Sequence, residues 1–428
     1  MGFCLSPEGD IQSSNLAAVM TNGKKSGGFL HHNRDLAGVM DGELAFCGPE
    51  LLQIDVTNSC NNNCIACWCR SPLLGNRVIS GEVGSQQLPF ALVKQTLDDC
   101  AEMGTTDIYL AGGGEPFMHP GIMDIISHIK ALGFRCHVNT NFTLVDKAKA
   151  RALQEMGVDN LIVSLWAATP ETYVDCHPNQ NRETFLEIID TLKYLVELKG
   201  NDGPHIKLYN VIMNRNYQET VAMAKLAEEL GVDAVEYTVA DVIPGYTDAL
   251  LLTAEQRSEV LEACGQLEVI SQQEDFRAEV YYKEFMRRIS GTGADSGEYD
   301  TVMLTDIPCF IGWNFSRLLA DGNINACLKA HRIPVGNIYE ASFREIWNSA
   351  KQREFRRKTR EGNADDPFFA GIGNAESSQI GCHRGCDDIE RNRRLWRRLL
   401  NLSCSEKLLL KGAGYYYRLT QKGFRKNG

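Results

Sequence analysis

No stretch of about 18 consecutive apolar residues occurs anywhere in the 428-residue chain, which excludes a hydrophobic transmembrane helix. The N-terminus, MGFCLSPEGDIQSS, lacks the basic start and apolar stretch of a secretory signal, so the expected compartment is the cytoplasm. An excess of positive charge is missing as well. The 44 Lys and Arg stand against 55 acidic residues, and a formal net charge of −11 makes nonspecific nucleic-acid binding a poor expectation. No internal repeat and no low-complexity segment is visible, so a solenoid and a disordered polar tract are both excluded. With 43% hydrophobic residues the chain can bury a substantial core.

What the chain has in plenty is cysteine. Fifteen are present, an odd number. Under reducing conditions structural disulfides are disfavoured, and the weight shifts to metal ligation or redox chemistry. Cys100, Cys136 and Cys264 sit in apolar helical or strand patterns and read as small buried hydrophobes. Four others crowd into NSCNNNCIACWC, residues 58–69. Charge is also unevenly placed. From Arg391 onward eleven Lys or Arg face a single acid, Glu406, so a tail of +10 follows a body of −21. Such a run, RNRRLWRRLLNL, reads first as a solvated helix packing on its own acidic body, and second as a surface for a phosphorylated or lipid-linked substrate or an acidic partner.

Between residues 51 and 242 short apolar runs alternate with amphipathic stretches of helical length, the mark of repeated βα units around parallel strands. Six strands are expected, at 51–57, 107–112, 135–140, 160–167, 205–213 and 234–242. The intervening helices end in EMG, ALG, EMG and ELG, each glycine suited to a left-handed cap. In parallel α/β architectures reacting groups gather at the carboxyl ends of the strands. After Pro244-Gly245 the pattern changes. Residues 246–300 read as a helical linker, residues 301–390 as a short-elemented unit, residues 391–428 as the basic tail, and residues 1–50 as an N-terminal extension.

Cys60, Cys64 and Cys67 follow the first strand directly. A loop with that spacing can wrap three thiolates around one face of a cubane iron–sulfur cluster and leave the fourth iron without a protein ligand. A zinc site borrowing Cys69 or a distant histidine, or a merely cysteine-rich surface loop, fits the spacing too. The second strand ends in YLAGGGEPFMHP, where Gly112, Gly113 and Gly114 let backbone approach a ligand closely and Glu115 can accept from an ammonium group.

The cysteine triad after strand one and GGGEP after strand two together resemble the radical S-adenosylmethionine superfamily. That resemblance implies a four-iron cluster on Cys60, Cys64 and Cys67, its free iron chelated by the amino and carboxylate groups of S-adenosylmethionine. The methionine-binding motif falls on Gly113, Gly114 and Glu115, with Gly112 opening the run. Cofactor contacts at later strand ends fall on Thr140, Asn141 and Ser164. The family usually has an aromatic before the third cysteine, whereas here Ala66 precedes it and Trp68 follows.

A second set, Cys309, Cys327, Cys382 and Cys386, together with VGNIYEASFREIWNSAKQREFR, resembles the SPASM or twitch extension found behind the barrel in many superfamily members. A full SPASM domain carries seven cysteines. Four fit here, which implies one auxiliary four-iron cluster, a zinc knob on the same ligands being the alternative. The fold expected is α/β, a partial (βα)6 TIM-like barrel with a C-terminal twitch/SPASM-like iron–sulfur domain.

The implied chemistry is reductive cleavage of S-adenosylmethionine to a 5′-deoxyadenosyl radical, with electrons from a partner such as flavodoxin or ferredoxin, and removal of a substrate hydrogen atom. Cys176, in TPETYVDCHPNQ, is the candidate thiol for returning a hydrogen atom in an epimerisation, with Cys69 second. Only 50 residues precede the first strand, short for a peptide-leader domain, so dehydrogenation or epimerisation of a small molecule (a sugar, nucleotide sugar or cyclitol) is expected before crosslinking or epimerisation of a ribosomal peptide. A non-catalytic cluster-bearing scaffold is the reading from another class. A cobalamin-dependent methyl transfer is not favoured, since no long N-terminal domain is there to hold that cofactor.

Overall fold

The computed structural model describes residues 23–200, 203–301, 307–363, 366–373, 382 and 385–420. The starting segment MGFCLSPEGDIQSS and the basic residues Lys422, Arg425 and Lys426 lie outside them. Strands β1 (Leu51–Asp55), β2 (Asp107–Ala111), β3 (Arg135–Thr140), β4 (Asn160–Ser164), β5 (His205–Ile212) and β6 (Ala234–Val239) form where the six apolar runs stand. The observed strands are mostly shorter than the runs at their carboxyl ends. There the chain leaves the ladder, and its residues turn over the barrel mouth to build the site.

Each strand pairs in parallel with the next, and the helices between them bury their apolar stripes on the outside of the sheet. The helix Phe90–Met103 buries Val93, Leu97 and Cys100, then stops on Gly104 at φ 84°. The helix Thr220–Leu230 stops in the same way on Gly231 at φ 70°. Both are positions where a side chain would strain the left-handed backbone. Cys100, Cys136 and Cys264 are fully buried, as their apolar patterns suggest.

Two elements correct the sequence reading. The stretch read as a helical linker contains β7 (Glu279–Tyr281), which extends the parallel sheet with Ala234 opposite Glu279. Three residues are too few to show an alternation. Further on, β8 (Phe315–Leu318) pairs in parallel with the outer edge of β1, Leu51 opposite Phe315. β9 (Asn323–Asn325) and β10 (Gly336–Asn337) follow it antiparallel, giving one sheet in the order β10-β9-β8-β1-β2-β3-β4-β5-β6-β7. The region holding the second cysteine set is thus bonded into the barrel sheet itself.

The basic tail finds its acids on this same chain. Arg394 reaches Glu50 at 2.7 Å, Arg398 reaches Asp35 at 2.5 Å, and Arg418 bonds Asp41 at 2.8 Å. The last described helix, Cys404–Thr420, packs on the helix Arg34–Asp41, and Tyr417 stacks on Phe46 with ring centroids 5.0 Å apart. Both ends of the described chain therefore close on one flank of the barrel. Among the described residues, no helix is long and apolar enough to cross a membrane.

Candidate active site

The loop after β1 and the loop after β2 lean on each other so closely that glycine is required. A Cβ added at Gly114 would fall 2.1 Å from the Ser59 carbonyl, and one at Gly113 would fall 2.6 Å from Asn58 Oδ1. The Glu115 amide donates to that same Ser59 carbonyl at 2.8 Å. Close approach is indeed the reason for the glycine run, and the group approached is the cysteine loop.

Two other segments fasten this loop. The Asn141 side-chain amide donates to Asn61 Oδ1 at 2.9 Å, the Asn179 side-chain amide donates to the Asn61 carbonyl at 2.7 Å, and the Ile65 amide donates to the Cys176 carbonyl at 2.9 Å. The asparagine run 61–63 is therefore a set of anchors. Fastened in this way, Cys60, Cys64 and Cys67 line one cavity of about 720 Å³ with Gly112, Gly113, Gly114 and Glu115.

Electrostatics distinguish the thiols. Burial pushes Cys60 up to about 11 and raises Cys64 well above its ordinary value, the neighbouring thiols adding to both. Cys67 instead drops to about 7, because the Cys69 thiol bonds to it. Cys69 is buried with Sγ 3.7 Å from that of Cys67 and 3.3 Å from the Gly113 carbonyl, so its single S–H has both as acceptors within reach. Its proton is thereby committed within the wall.

Glu115 is fully enclosed. It accepts from the Thr140 hydroxyl at 2.6 Å, the Asn141 amide at 2.7 Å and the Phe117 amide at 3.1 Å, yet burial outweighs these bonds and lifts its carboxyl to about 7. Thr140 and Asn141 thus hold Glu115 and the cysteine loop in place, and both line the cavity. Ser164, half-buried on the same wall, donates to Asn139 Oδ1 at 3.1 Å.

Cys176 is not brought to the cavity. It is fully buried at the end of the helix Pro170–Cys176, its thiol turned to the Trp166 carbonyl at 3.7 Å and packed among Met213, Ala240 and Val242. The structure thus leaves Cys176 off the cavity wall, where the hydrogen-donor expectation would need it. The residue lies enclosed under the cysteine loop, with Cys64, Ile65 and Ala66 packed against its cluster.

The second set assembles from separated segments. Cys309, Cys327, Cys382 and Cys386 are each raised by burial, Cys309 to about 12 and Cys382 to about 11. Cys386 feels the charge of all three of the others, and Cys327 that of Cys382 and Cys309. These half-buried thiols lie close enough for their charges to act on one another, as a closed, fully protein-ligated metal cluster would require. Three thiols on a cavity wall fit one that keeps an open position. In both places the thiols raised by burial would ionise against the cation of an arriving metal.

Several cavity residues escaped the sequence reading. Trp166, at φ 62°, is held in the left-handed region by its amide on Asn210 Oδ1 at 3.0 Å and by Asn216, which donates to its carbonyl at 2.8 Å. Its ring lines the cavity, and its indole Nε1 is buried with no hydrogen-bond partner among the described residues. Lys207 of β5 pairs with Glu236 of β6, beside the buried phenols of Tyr109 and Tyr209. Lys329, two residues after Cys327, reaches Asp241 beyond β6 at 2.9 Å. The only available signal was a polar residue inside an apolar strand pattern, as at Lys207 and Glu236.

Comparison with known proteins bears on this geometry. Residues 54–227 match the radical SAM superfamily, and residues 309–366 match the SPASM iron-sulfur cluster-binding domain. The chain is 24% identical over 319 residues to the tungsten-containing aldehyde ferredoxin oxidoreductase cofactor-modifying protein of Pyrococcus furiosus, covering 71% of this chain and 82% of that protein. It is 26% identical over 312 residues to the PqqA peptide cyclase of Gluconobacter oxydans, covering 70% and 76%. The crystal structure of Streptococcus suis SuiB bound to S-adenosylmethionine superposes with a TM-score of 0.57 at 15% identity, over 81% of this chain and 74% of that one. The likeness to SuiB is one of fold.

Proposed function

The chain belongs to the radical S-adenosylmethionine superfamily and carries an SPASM domain, and from that premise we propose that it removes a hydrogen atom from a small polar substrate, on the way to dehydrogenation or epimerisation. Membership brings S-adenosylmethionine, a four-iron cluster and auxiliary iron–sulfur ligation. Cys60, Cys64 and Cys67 are the proposed ligands of the first cluster, with Gly113, Gly114 and Glu115 around the methionine end of the cofactor. Cys309, Cys327, Cys382 and Cys386 are the proposed ligands of one auxiliary cluster. When bound, the first cluster and S-adenosylmethionine supply a 5′-deoxyadenosyl radical able to take an unactivated hydrogen atom.

The observation that carries the substrate reading is the wall of the cavity. Cofactor and substrate share about 720 Å³, within the range of single-ligand pockets, so the substrate portion that enters is small. Below the cysteine loop that wall presents Tyr109, Asn139, Ser164, Lys207, Tyr209 and Glu236. These hydroxyl, amide and charged groups match a hydroxylated sugar, nucleotide sugar or cyclitol. They position it and exclude water from the reacting carbon. Cys386 lines the same cavity, which favours dehydrogenation: the substrate would give up a hydrogen atom to the 5′-deoxyadenosyl radical, then an electron to the auxiliary cluster that Cys386 would help hold and a proton to solvent or a nearby base. A cytoplasmic flavodoxin or ferredoxin is the expected electron source.

A second reading is modification of one residue of a peptide, and the likeness to the PqqA peptide cyclase supports it. A single side chain entering the cavity satisfies the same volume. The test uses anaerobically reconstituted, dithionite-reduced protein with S-adenosylmethionine. Release of 5′-deoxyadenosine is expected, and its absence with both sites loaded with iron overturns the enzyme reading in favour of a scaffold. A panel of sugars, cyclitols and candidate precursor peptides then separates the substrates. Loss of two hydrogens marks oxidation, and deuterium uptake from heavy water without other mass change marks inversion. Product from peptides alone transfers the assignment to the second reading.

A further inference from the structure

Arg317 of β8 stands between the two cysteine sites and touches the chain beside a cysteine of each. The residue is 5% exposed. Nε and Nη2 bond the Asp55 carboxylate at 3.1 and 2.6 Å, and Nη1 donates to the Leu328 carbonyl at 2.8 Å. Its face lies 5.6 Å from the ring centroid of Trp68. Asp55 ends β1, and a Cβ on Gly112 would fall 2.9 Å from its Cα, so the carboxylate-bearing residue is pressed against the glycine run. Leu328 follows Cys327, and Trp68 follows Cys67. The aromatic that stands after the third cysteine therefore faces the auxiliary region, where it also meets His331 at 5.8 Å.

We propose that Arg317 is a positioning residue that makes the two cysteine sites one mechanical and electrostatic unit, fixing the S-adenosylmethionine pocket from the auxiliary side. The fork on Asp55 sets where β1 releases the first cysteine loop and where Gly112 can sit. The third arm sets the loop of Cys327. Trp68, covered by the same cation, cannot swing without disturbing both. A planar five-donor group suits this task, and a lysine offers the charge without the fork.

The test uses the full chain with iron in both sites. Arg317→Gln keeps its iron but loses affinity for S-adenosylmethionine by roughly 5- to 150-fold, the usual span of site-to-site coupling, measured by anaerobic equilibrium dialysis. The electron-resonance change that the cofactor induces in the first cluster is altered. The auxiliary reduction potential falls, because a buried positive charge has gone. Arg317→Lys restores most of the potential and little of the affinity. Trp68→Leu shifts affinity the same way by less. Wild-type affinity and potential in fully loaded Arg317→Gln and Arg317→Lys overturn the proposal. If Arg317→Gln fails to fold or load, Arg317→Lys and Trp68→Leu decide by the same readings, and wild-type values in both overturn it.

Discussion

The two cysteine sites differ in how the chain makes them. The first takes all three of its thiols from one loop of eight residues, and each lines the cavity. The second collects four thiols from separated segments, and of these only Cys386 lines that cavity. A compact loop can present one face and leave a metal position free for chemistry. Three converging segments would enclose their ligand, which suits an electron store and a structural knot together. The lesson is that local spacing serves the reactive site, while tertiary closure serves the auxiliary one.

The sharpest way to break this comparison is to remove a thiol from each site. Alanine at Cys60, Cys64 or Cys67 is expected to reduce 5′-deoxyadenosine release to background. Alanine at Cys309 or Cys386 is expected to keep release within about tenfold of wild type while abolishing product. Chromatography of both nucleoside and product, with iron analysis of each variant, checks it. Equal loss of release from both sets would mean that the sites are not divided in this way.

Next in size is a pH effect confined to the open site. Glu115 rises from 4.5 to about 7 in the folded chain because burial penalises its charge. The folded state thus keeps a proton that the unfolded state has already lost, and stability falls as pH climbs from about 4.5 to 7. The full penalty above that window is about 3 kcal/mol. Urea unfolding of the cluster-free protein at stepped pH should show this slope, and Glu115→Gln should flatten it. At low pH the substitution costs about 1–3 kcal/mol, since an amide nitrogen replaces one acceptor among three donors, and at high pH the removed ionisation penalty offsets that cost. An unchanged slope would take Glu115 out of the account.

The smallest effect expected is at Cys176. Alanine there should cost about 1 kcal/mol of stability through lost packing and leave 5′-deoxyadenosine release unchanged. With substrate in heavy water, deuterium incorporation should also be unchanged. A loss of incorporation in a folded variant would return Cys176 to the chemistry.

Much of this was legible in the sequence because it is local. The six barrel strands, the glycine-capped helices, the cysteine spacing and the GGGEP turn are each written within a few consecutive residues. What was not legible depends on partners far along the chain. β7 has three residues, and only pairing with β6 makes it a strand. β8, Phe-Ser-Arg-Leu, shows no strand pattern of its own until β1 lies beside it. Trp166 owes its unusual backbone to Asn210 and Asn216, and Cys176 looked accessible only because its helix begins near the barrel mouth. Arg317 carries no motif, since its meaning lies in Asp55, 262 residues away.

That separation has a consequence during synthesis. β1 is the first strand of the sheet to leave the ribosome, and it waits longest for its second neighbour. Until residues 315–318 emerge, its outer edge offers unpaired amides and carbonyls, the kind of surface on which nascent chains adhere to one another. Metal that arrives before β8 pairs would meet a half-built socket, since Arg317 is not yet there to bond Asp55.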